Sequence, residues 1–160
     1  MNFMSFFALN IILAAIWSAL SGQFSPENFI SGFVLGYVLL WLLRRALGGE
    51  SYVNKVPQVV LFIGFFLMEV VRANLRVAWE VLTPGHNMRP AIVAVPLDLR
   101  NPLQITLLAQ MITLTPGTLS LDVSSDRRVL YVHSMYVDDI DQFRAGIKNG
   151  FERRVAEVFA

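Results

Sequence analysis

The 160-residue sequence has no cysteine, only two histidines and very little charge at its beginning. The absence of cysteine excludes disulfides, thiolate metal sites and cysteine nucleophiles. Because His86 and His133 are the only histidines, we expect no zinc site, and we predict no cofactor. The net charge is +1, and the sequence has no block of like charges, so it lacks the clustered basic residues that bind nucleic acid.

Apolar residues dominate the sequence, at 55% against 16% charged, with a mean hydropathy of +0.54. Residues 1–43 contain one charged side chain, Glu27, whereas residues 83–160 hold eight basic and eight acidic ones. This distribution predicts a membrane part at 1–82 and a water-exposed domain at 83–160. No basic segment precedes the first apolar run, so we interpret that run as a retained anchor and not as a cleaved signal peptide.

Two apolar runs near the N-terminus, 3–20 and 28–43, approach the roughly 20 helical residues that cross a bilayer. Turn residues and Pro26 separate them, which predicts a helical hairpin. Gly32 and Gly36 have the small-xxx-small spacing that lets helices approach closely in lipid, and Asn10 is a polar residue within the first run. We predict that Asn10, Gly32 and Gly36 pack these helices together.

The loop after the second run is flanked by Arg44, Arg45 and Lys55, so the positive-inside rule assigns it to the cytoplasm. We expect Pro57 to open a third helix. Its apolar part, 57–68, is short, and an amphipathic stretch with charged residues follows. Glu69, Arg72 and Arg76 in that stretch are candidate contacts with another subunit.

Two interpretations of this third helix stay open. It lies at the membrane interface or dips into the membrane and leaves the C-terminal domain in the cytoplasm, or it is a third span that exports the domain. The first interpretation keeps Arg72, Arg76 and Arg89 on the positive side, so we predict a cytoplasmic domain.

The C-terminal part predicts a β-α-β-β-α order, hence a small α/β sandwich with helices on one face of a mixed sheet. Residues 91–98 are predicted to form a strand that Pro96 pushes toward a sheet edge or a bulge, and residues 102–114 a buried helix. Strands at 118–124 and 129–137 are joined by a hairpin turn. The last helix starts near Asp139, and its predicted apolar stripe consists of Ile140, Phe143, Ile147, Phe151, Val155 and Val158.

The strand at 118–124 alternates strictly, with Leu119, Leu121 and Val123 predicted to face the core. Its opposite face would offer Thr118, Ser120 and Asp122 to water or to a neighbouring subunit, together with His133 from the next strand. Just before this strand, Pro116-Gly117 indicates a turn with positive φ at the glycine. A phosphate loop is not indicated, because no lysine follows the glycine.

Two groups of titratable residues suggest chemistry only weakly. Asp122 and His133 are expected to face one another on adjacent strands, as an acid–base pair would, but no nucleophile or oxyanion hole surrounds them in the sequence. Asp138, Asp139 and Asp141 resemble half of a cation site. Helix capping and the helix dipole explain these three aspartates more simply. We therefore predict no catalytic and no metal site.

Several stretches together resemble the E subunit of Mrp-type multisubunit sodium/proton antiporters. They are "ITLTPGTLSLDV" from residue 112, "LYVHSM" from residue 130 and the long helix containing "EVVRANLRVAWEVL". The resemblance implies a small integral subunit of a bacterial or archaeal cell-membrane exchanger, whose larger subunits carry the proton-translocating machinery. Its partners would be other antiporter subunits and the lipid bilayer, while the complex handles Na+ and H+. The family supplies no catalytic residues.

Two other classes of protein remain open at this point. A membrane-anchored regulatory or scaffolding protein would share the anchor and the cytoplasmic domain. A membrane-bound enzyme would need the face of Asp122 and His133 to line a pocket. We favour an accessory, non-enzymatic antiporter subunit without a complete ion pathway of its own.

Overall fold

The computed structural model describes residues 3–83 and 88–159, apart from the side chain of Glu50. The predicted loop at 84–87, with His86, therefore lies outside the described residues. The chain divides into two compact units, Met1–Val59 and Val60–Ala160. The predicted domain boundary after residue 82 stays a prediction.

Three long helices form the N-terminal part, as predicted: α1 (Phe3–Leu20), α2 (Pro26–Leu47) and α3 (Glu50–Leu82). All three are long and apolar enough to cross a membrane. Ser25 caps α2, because its Oγ accepts a hydrogen bond from the N–H of Asn28, and Pro26 takes the first turn, where no N–H is needed. Gly48 ends α2 in the left-handed conformation, with φ +71°.

Pro57 does not open α3, contrary to expectation, because the helix already begins at Glu50. A proline inside a helix removes one N–H, so the carbonyl four residues earlier loses its usual donor. Here that carbonyl belongs to Val53, and it accepts a hydrogen bond of 3.0 Å from the Tyr37 hydroxyl on α2. The helix continues through Pro57 because a neighbouring helix supplies the missing donor.

The C-terminal part has the predicted β-α-β-β-α order: β1 (Ala91–Pro96), α4 (Pro102–Leu114), β2 (Thr118–Val123), β3 (Val129–Ser134) and a final helical region. The sheet is antiparallel throughout, with strand order β1-β3-β2, so the expectation of a mixed sheet is wrong. The β2–β3 hairpin places β3 between β1 and β2, which separates the two parallel strands. Of the two alternatives expected from Pro96, the structure has the first, because β1 is an edge strand.

The core of this part lies between one face of the sheet and the helices. Val93, Val95, Leu130 and Val132 contribute from the sheet and are at most 2% exposed. The helical side of the core consists of Ile105, Leu108, Met111, Ile112, Ile147 and Val155. Helices on a single face of the sheet agree with the predicted architecture.

The final helical region is continuous but not uniform. It consists of α5 (Ile140–Gly146), a π-helical segment (Ile147–Glu152) and α6 (Arg153–Phe159). The predicted apolar stripe is buried at Ile147 and Val155, whereas Ile140 at its start is 50% exposed. Asp139 caps the region as expected, accepting a hydrogen bond of 2.7 Å from the N–H of Gln142.

Candidate functional site

The contact between α1 and α2 contains the three residues predicted to pack these helices. Asn10 is fully buried, and its Nδ2 donates a hydrogen bond of 2.7 Å to the Tyr52 hydroxyl. A Cβ atom added at Gly36 would overlap Asn10 Oδ1, and one added at Gly32 would lie 2.8 Å from the Cβ of Trp17. The backbones are close only because both positions lack a side chain. How much these residues stabilise the hairpin stays a prediction.

Tyr52 is the residue of this contact that sequence reasoning missed. Its ring stacks on Phe6, with centroids 6.4 Å apart, and meets Tyr37 edge-on at 6.0 Å. Tyr52 lies within the stretch that the sequence assigned to a polar cytoplasmic loop, and a tyrosine in such a loop carries no signal for burial. Its partner Asn10 was the available signal, because a polar residue inside an apolar run needs a hydrogen-bond partner.

A second cluster lies in the unit of residues 60–160, where α3 borders a cavity of about 550 Å³. All three α3 residues predicted as subunit contacts, Glu69, Arg72 and Arg76, line this cavity. Arg72 donates to Glu69 at 2.7 Å, and the guanidinium of Arg76 lies 5.6 Å from the ring centroid of Tyr136. Opposite α3, the cavity is lined by the turn before β2, the end of β3 and the last helical region.

The first part of strand β2 presents the opposite faces from those predicted, whereas Val123, after the bulge, packs against the core as expected. The hydroxyls of Thr118 and Ser120 point to α4, where they donate to the carbonyls of Ile112 at 2.6 Å and Ala109 at 3.0 Å. Leu119 and Leu121 are instead 45% and 48% exposed. The expectation that these leucines face the core is wrong, because α4 offers carbonyl acceptors beside β2 and hydroxyls satisfy them.

Asp122 and His133 are not the facing pair that the sequence suggested. A bulge between Ser120 and Asp122 shifts the register, so Asp122 lies opposite Tyr131, while His133 pairs with Leu119 on one side and Ile92 on the other. Asp122 Oδ1 accepts the N–H of Val123 at 2.8 Å. This arrangement places His133 between two exposed apolar side chains and not beside a carboxylate.

The turn before β2 has the predicted form. Gly117 has φ +89°, and the N–H of Thr118 donates to the carbonyl of Thr115 at 3.2 Å. A Cβ at this glycine would come within 2.9 Å of the Tyr136 ring. Within the described residues, no group of three or more His, Cys, Asp or Glu side chains is arranged to hold a metal.

Comparison with known proteins decides the family. The family model MNHE, described as Na+/H+ ion antiporter subunit, matches residues 10–158. The E subunit of the Na+/H+ antiporter of Bacillus subtilis is 38% identical over 150 residues, which cover 94% of this chain and 95% of the relative. The corresponding E subunit of Alkalihalophilus pseudofirmus is 37% identical with the same coverage. The chain belongs to the family of Na+/H+ antiporter E subunits.

This membership confirms the resemblance found in the sequence. The chain is therefore a membrane-embedded component of a multisubunit antiporter. Among solved structures, a chain of the membrane-bound sulfane sulfur reductase, an archaeal respiratory membrane complex, superposes with a TM-score of 0.57 at 26% identity and covers 96% of this chain and 98% of its own length. A chain of the Mrp complex from Dietzia sp. DQ12-45-1b matches with a TM-score of 0.48 at 27% identity, and the match covers 62% of this chain and 93% of that one.

Proposed function

We propose that this chain is an accessory and assembly subunit that has neither a complete ion pathway nor a catalytic site of its own. The supporting observation is the distribution of charge along α1 and α2, since the ion pair of α3 lies in its amphipathic part, which we assign to the interface. Between Phe3 and Leu43, the one charged side chain is Glu27, in the first turn of α2. An ion pathway requires paired ionisable residues deep in a span, facing a cavity. The buried polar pair of this region, Asn10 and Tyr52, is uncharged at neutral pH.

The partners are other antiporter subunits and lipid, and Na+ and H+ are the ions that the complex handles. Support comes from the apolar surface that the chain leaves uncovered on α3. Leu61, Leu75 and Trp79 are between 65% and 73% exposed. An exposed apolar surface of this kind on a membrane protein is covered by lipid or by a helix of another subunit.

A second surface suits protein contact. We define the outer sheet face as Ile92, Leu119, Tyr131 and His133, which point away from the core of the 60–160 unit. Ile92, His133 and Leu119 are cross-strand neighbours in one row, and Ile92 is 64% exposed. An antiparallel sheet normally packs one face on the core and presents polar side chains to water on the other. Here the outer face is largely apolar. We assign it, with Asp122 at its rim, to contact with another subunit.

Purification through a tag on this chain tests the proposal. Extraction in mild detergent should co-isolate several larger membrane proteins, and vesicles reconstituted with them should exchange Na+ for H+. Ile92→Glu should reduce the co-isolated subunits without unfolding the chain, because the side chain lies outside the core. The matched control is Arg153→Gln, whose side chain is 61% exposed elsewhere on the domain. Recovery of this chain alone from the wild type would contradict the proposal.

The C-terminal domain lies in the cytoplasm, on the same side as the end of α2 that bears Arg44 and Arg45. Both arginines lie in the last turn of α2, and the guanidinium of Arg44 lies 4.8 Å from the Trp41 ring centroid, an arrangement suited to the headgroup region. With both ends of α3 on one side, α3 follows the interface or dips into the membrane. A fluorescent protein that matures only in the cytoplasm should be bright when fused after Ala160. The same reporter inserted after Gln23 should be dark. Darkness at both positions would mean that α3 crosses the membrane.

A further inference from the structure

The cavity beside α3 combines two kinds of wall. Charged side chains line one part: Glu69, Arg72 and Arg76 on α3, and Asp138 and Asp139 before α5. Apolar side chains of the last helical region, Phe143, Ile147 and Phe151, line another part. At about 550 Å³, the cavity is within the ~300–1,000 Å³ typical of small-molecule sites. An amphipathic ligand fits such walls better than a wholly polar or wholly apolar one.

The two arginines provide the donors for an anionic group. Glu69 Oε1 engages one N–H of Arg72 at 2.7 Å, and a guanidinium carries five N–H donors in a planar fork. The Arg72 side chain is 66% exposed, so its remaining donors can reach a ligand. The ring of Tyr136 faces the guanidinium of Arg76 at 5.6 Å and orients it. Phosphate oxygens match this fork geometry closely.

The carboxylates make a purely anionic ligand unsuitable. Glu69, Asp138 and Asp139 outnumber the two arginines that line the cavity. Asp138 Oδ1 lies 3.4 Å from Arg89, and one oxygen of Asp139 caps α5, but each carboxylate has further lone pairs to offer. A ligand that carries an ammonium group beside its phosphate satisfies both signs of charge.

We propose that this cavity binds the headgroup of a phosphatidylethanolamine-type phospholipid. The phosphate contacts Arg72 and Arg76, the primary ammonium group donates to Asp138 and Asp139, and the glycerol end contacts Phe143 and Phe151. A phosphocholine headgroup has no N–H to donate to the carboxylates, and phosphatidylglycerol brings no positive charge. The site goes beyond the accessory role proposed above and does not depend on which side of the membrane the domain occupies.

Native mass spectrometry of the purified complex tests the proposal. The complex is equilibrated with detergent micelles that contain equal amounts of phosphatidylethanolamine, phosphatidylcholine and phosphatidylglycerol with identical acyl chains. We expect phosphatidylethanolamine to be retained preferentially on this chain. Arg72→Gln with Arg76→Gln should lower its retention about tenfold, the effect of losing charge-assisted hydrogen bonds. Arg72→Lys should keep part of it, and Arg153→Gln, at a residue that does not line the cavity, should change nothing.

A second substitution tests the ammonium contact separately. Asp138→Asn should reduce the preference for phosphatidylethanolamine over phosphatidylcholine, because Asp139 alone then accepts from the ammonium group, while the phosphate contacts remain. Soluble glycerophosphoethanolamine should compete weakly, because it lacks the chains anchored in the micelle; equal binding would identify a free phosphoester as the ligand. Stronger retention of phosphatidylglycerol, or retention unaffected by the arginine substitutions, would overturn the proposal. So would occupation of the cavity by a neighbouring subunit, which crosslinking from position 143 would reveal.

Discussion

At the scale of single residues, Glu152 is the acid most firmly built into the 60–160 unit. It is 3% exposed, and its Oε1 accepts hydrogen bonds from the N–H groups of Asp98 at 2.6 Å and Leu99 at 3.1 Å. Lys148 donates to Asp98 at 2.6 Å and lies 3.9 Å from the other oxygen of Glu152. One side chain thus joins the last helical region to the segment between β1 and α4.

Removing this carboxylate should destabilise the domain strongly. Glu152→Ala leaves two amides without an acceptor, which costs about 2–4 kcal/mol of the free energy of unfolding. Glu152→Gln keeps one acceptor oxygen and should cost clearly less. Thermal unfolding of the purified chain in detergent, with hydrogen exchange at Asp98 and Leu99, measures the effect. The control Glu157→Ala, an exposed acid on α6, should stay within about 0.5 kcal/mol of wild type.

Gly36 provides a residue-scale test of the helix contact in the 1–59 unit. Gly36→Ala places a Cβ on Asn10 Oδ1, so α1 and α2 must separate or the Asn10–Tyr52 hydrogen bond must break. The expected loss is about 1–3 kcal/mol, as for overpacking elsewhere. Gly64→Ala is the matched control, because no atom lies within 4 Å of its added Cβ, and it should be neutral or stabilising. Equal melting temperatures for the two variants would exclude a packing role for Gly36.

At the scale of elements, the sequence predicted the type and order of nearly every helix and strand. Continuous apolar runs located α1, α2 and α4, and turn residues located the β2–β3 hairpin. Three features escaped because they depend on neighbours distant in sequence. Pro57 stays inside α3 because the Tyr37 hydroxyl replaces the N–H donor that a proline lacks. Strand β2 turns its hydroxyls inward because α4 lies beside it. Glu152 lies in a π-helical segment. The alternation of polar and apolar residues along a strand cannot show which face will lie against hydrogen-bond acceptors of a neighbouring helix.

The β2–β3 hairpin is an element whose stability should depend on pH. The Ser124 hydroxyl, which donates to Asp126 at 2.6 Å, holds the pKa of Asp126 below its usual value, and the N–H of Arg128 adds to this. A carboxyl group with a lower pKa in the folded state stabilises that state above its unfolded pKa of about 3.9. This contribution disappears as the pH falls through the lower, folded pKa.

Asp126→Asn should therefore loosen the hairpin at neutral pH. Hydrogen exchange of peptides covering residues 124–130, corrected for intrinsic rates, should be faster in the variant from about pH 8 down to about pH 4. Below that, the two proteins should converge as the wild-type carboxylate is protonated. Asp141→Asn, on α5, should leave these peptides unchanged. A difference that persisted undiminished at about pH 2 would mean that charge is not what Asp126 contributes.

At the scale of the whole molecule, each compact unit has a buried cluster of its own. One consists of Phe6, Leu40, Tyr52 and Val53, and the other surrounds the sheet. The division between the units falls within α3, at Val59 and Val60, so a continuous helix belongs to both. Family membership assigns this chain to a larger complex, and within the chain each unit has a buried core of its own.

A double-variant experiment tests whether the two clusters unfold independently. Val132→Ala, at a fully buried position of β3, should lower the protection of the Val93 and Val95 amides by about 2 kcal/mol. Gly36→Ala should leave those amides unchanged and affect exchange in α1 and α2. Because distant sites with separate cores behave additively, the double variant should match the combined single effects within about 0.5 kcal/mol. A larger interaction energy would mean that α3 couples both clusters into one cooperative unit.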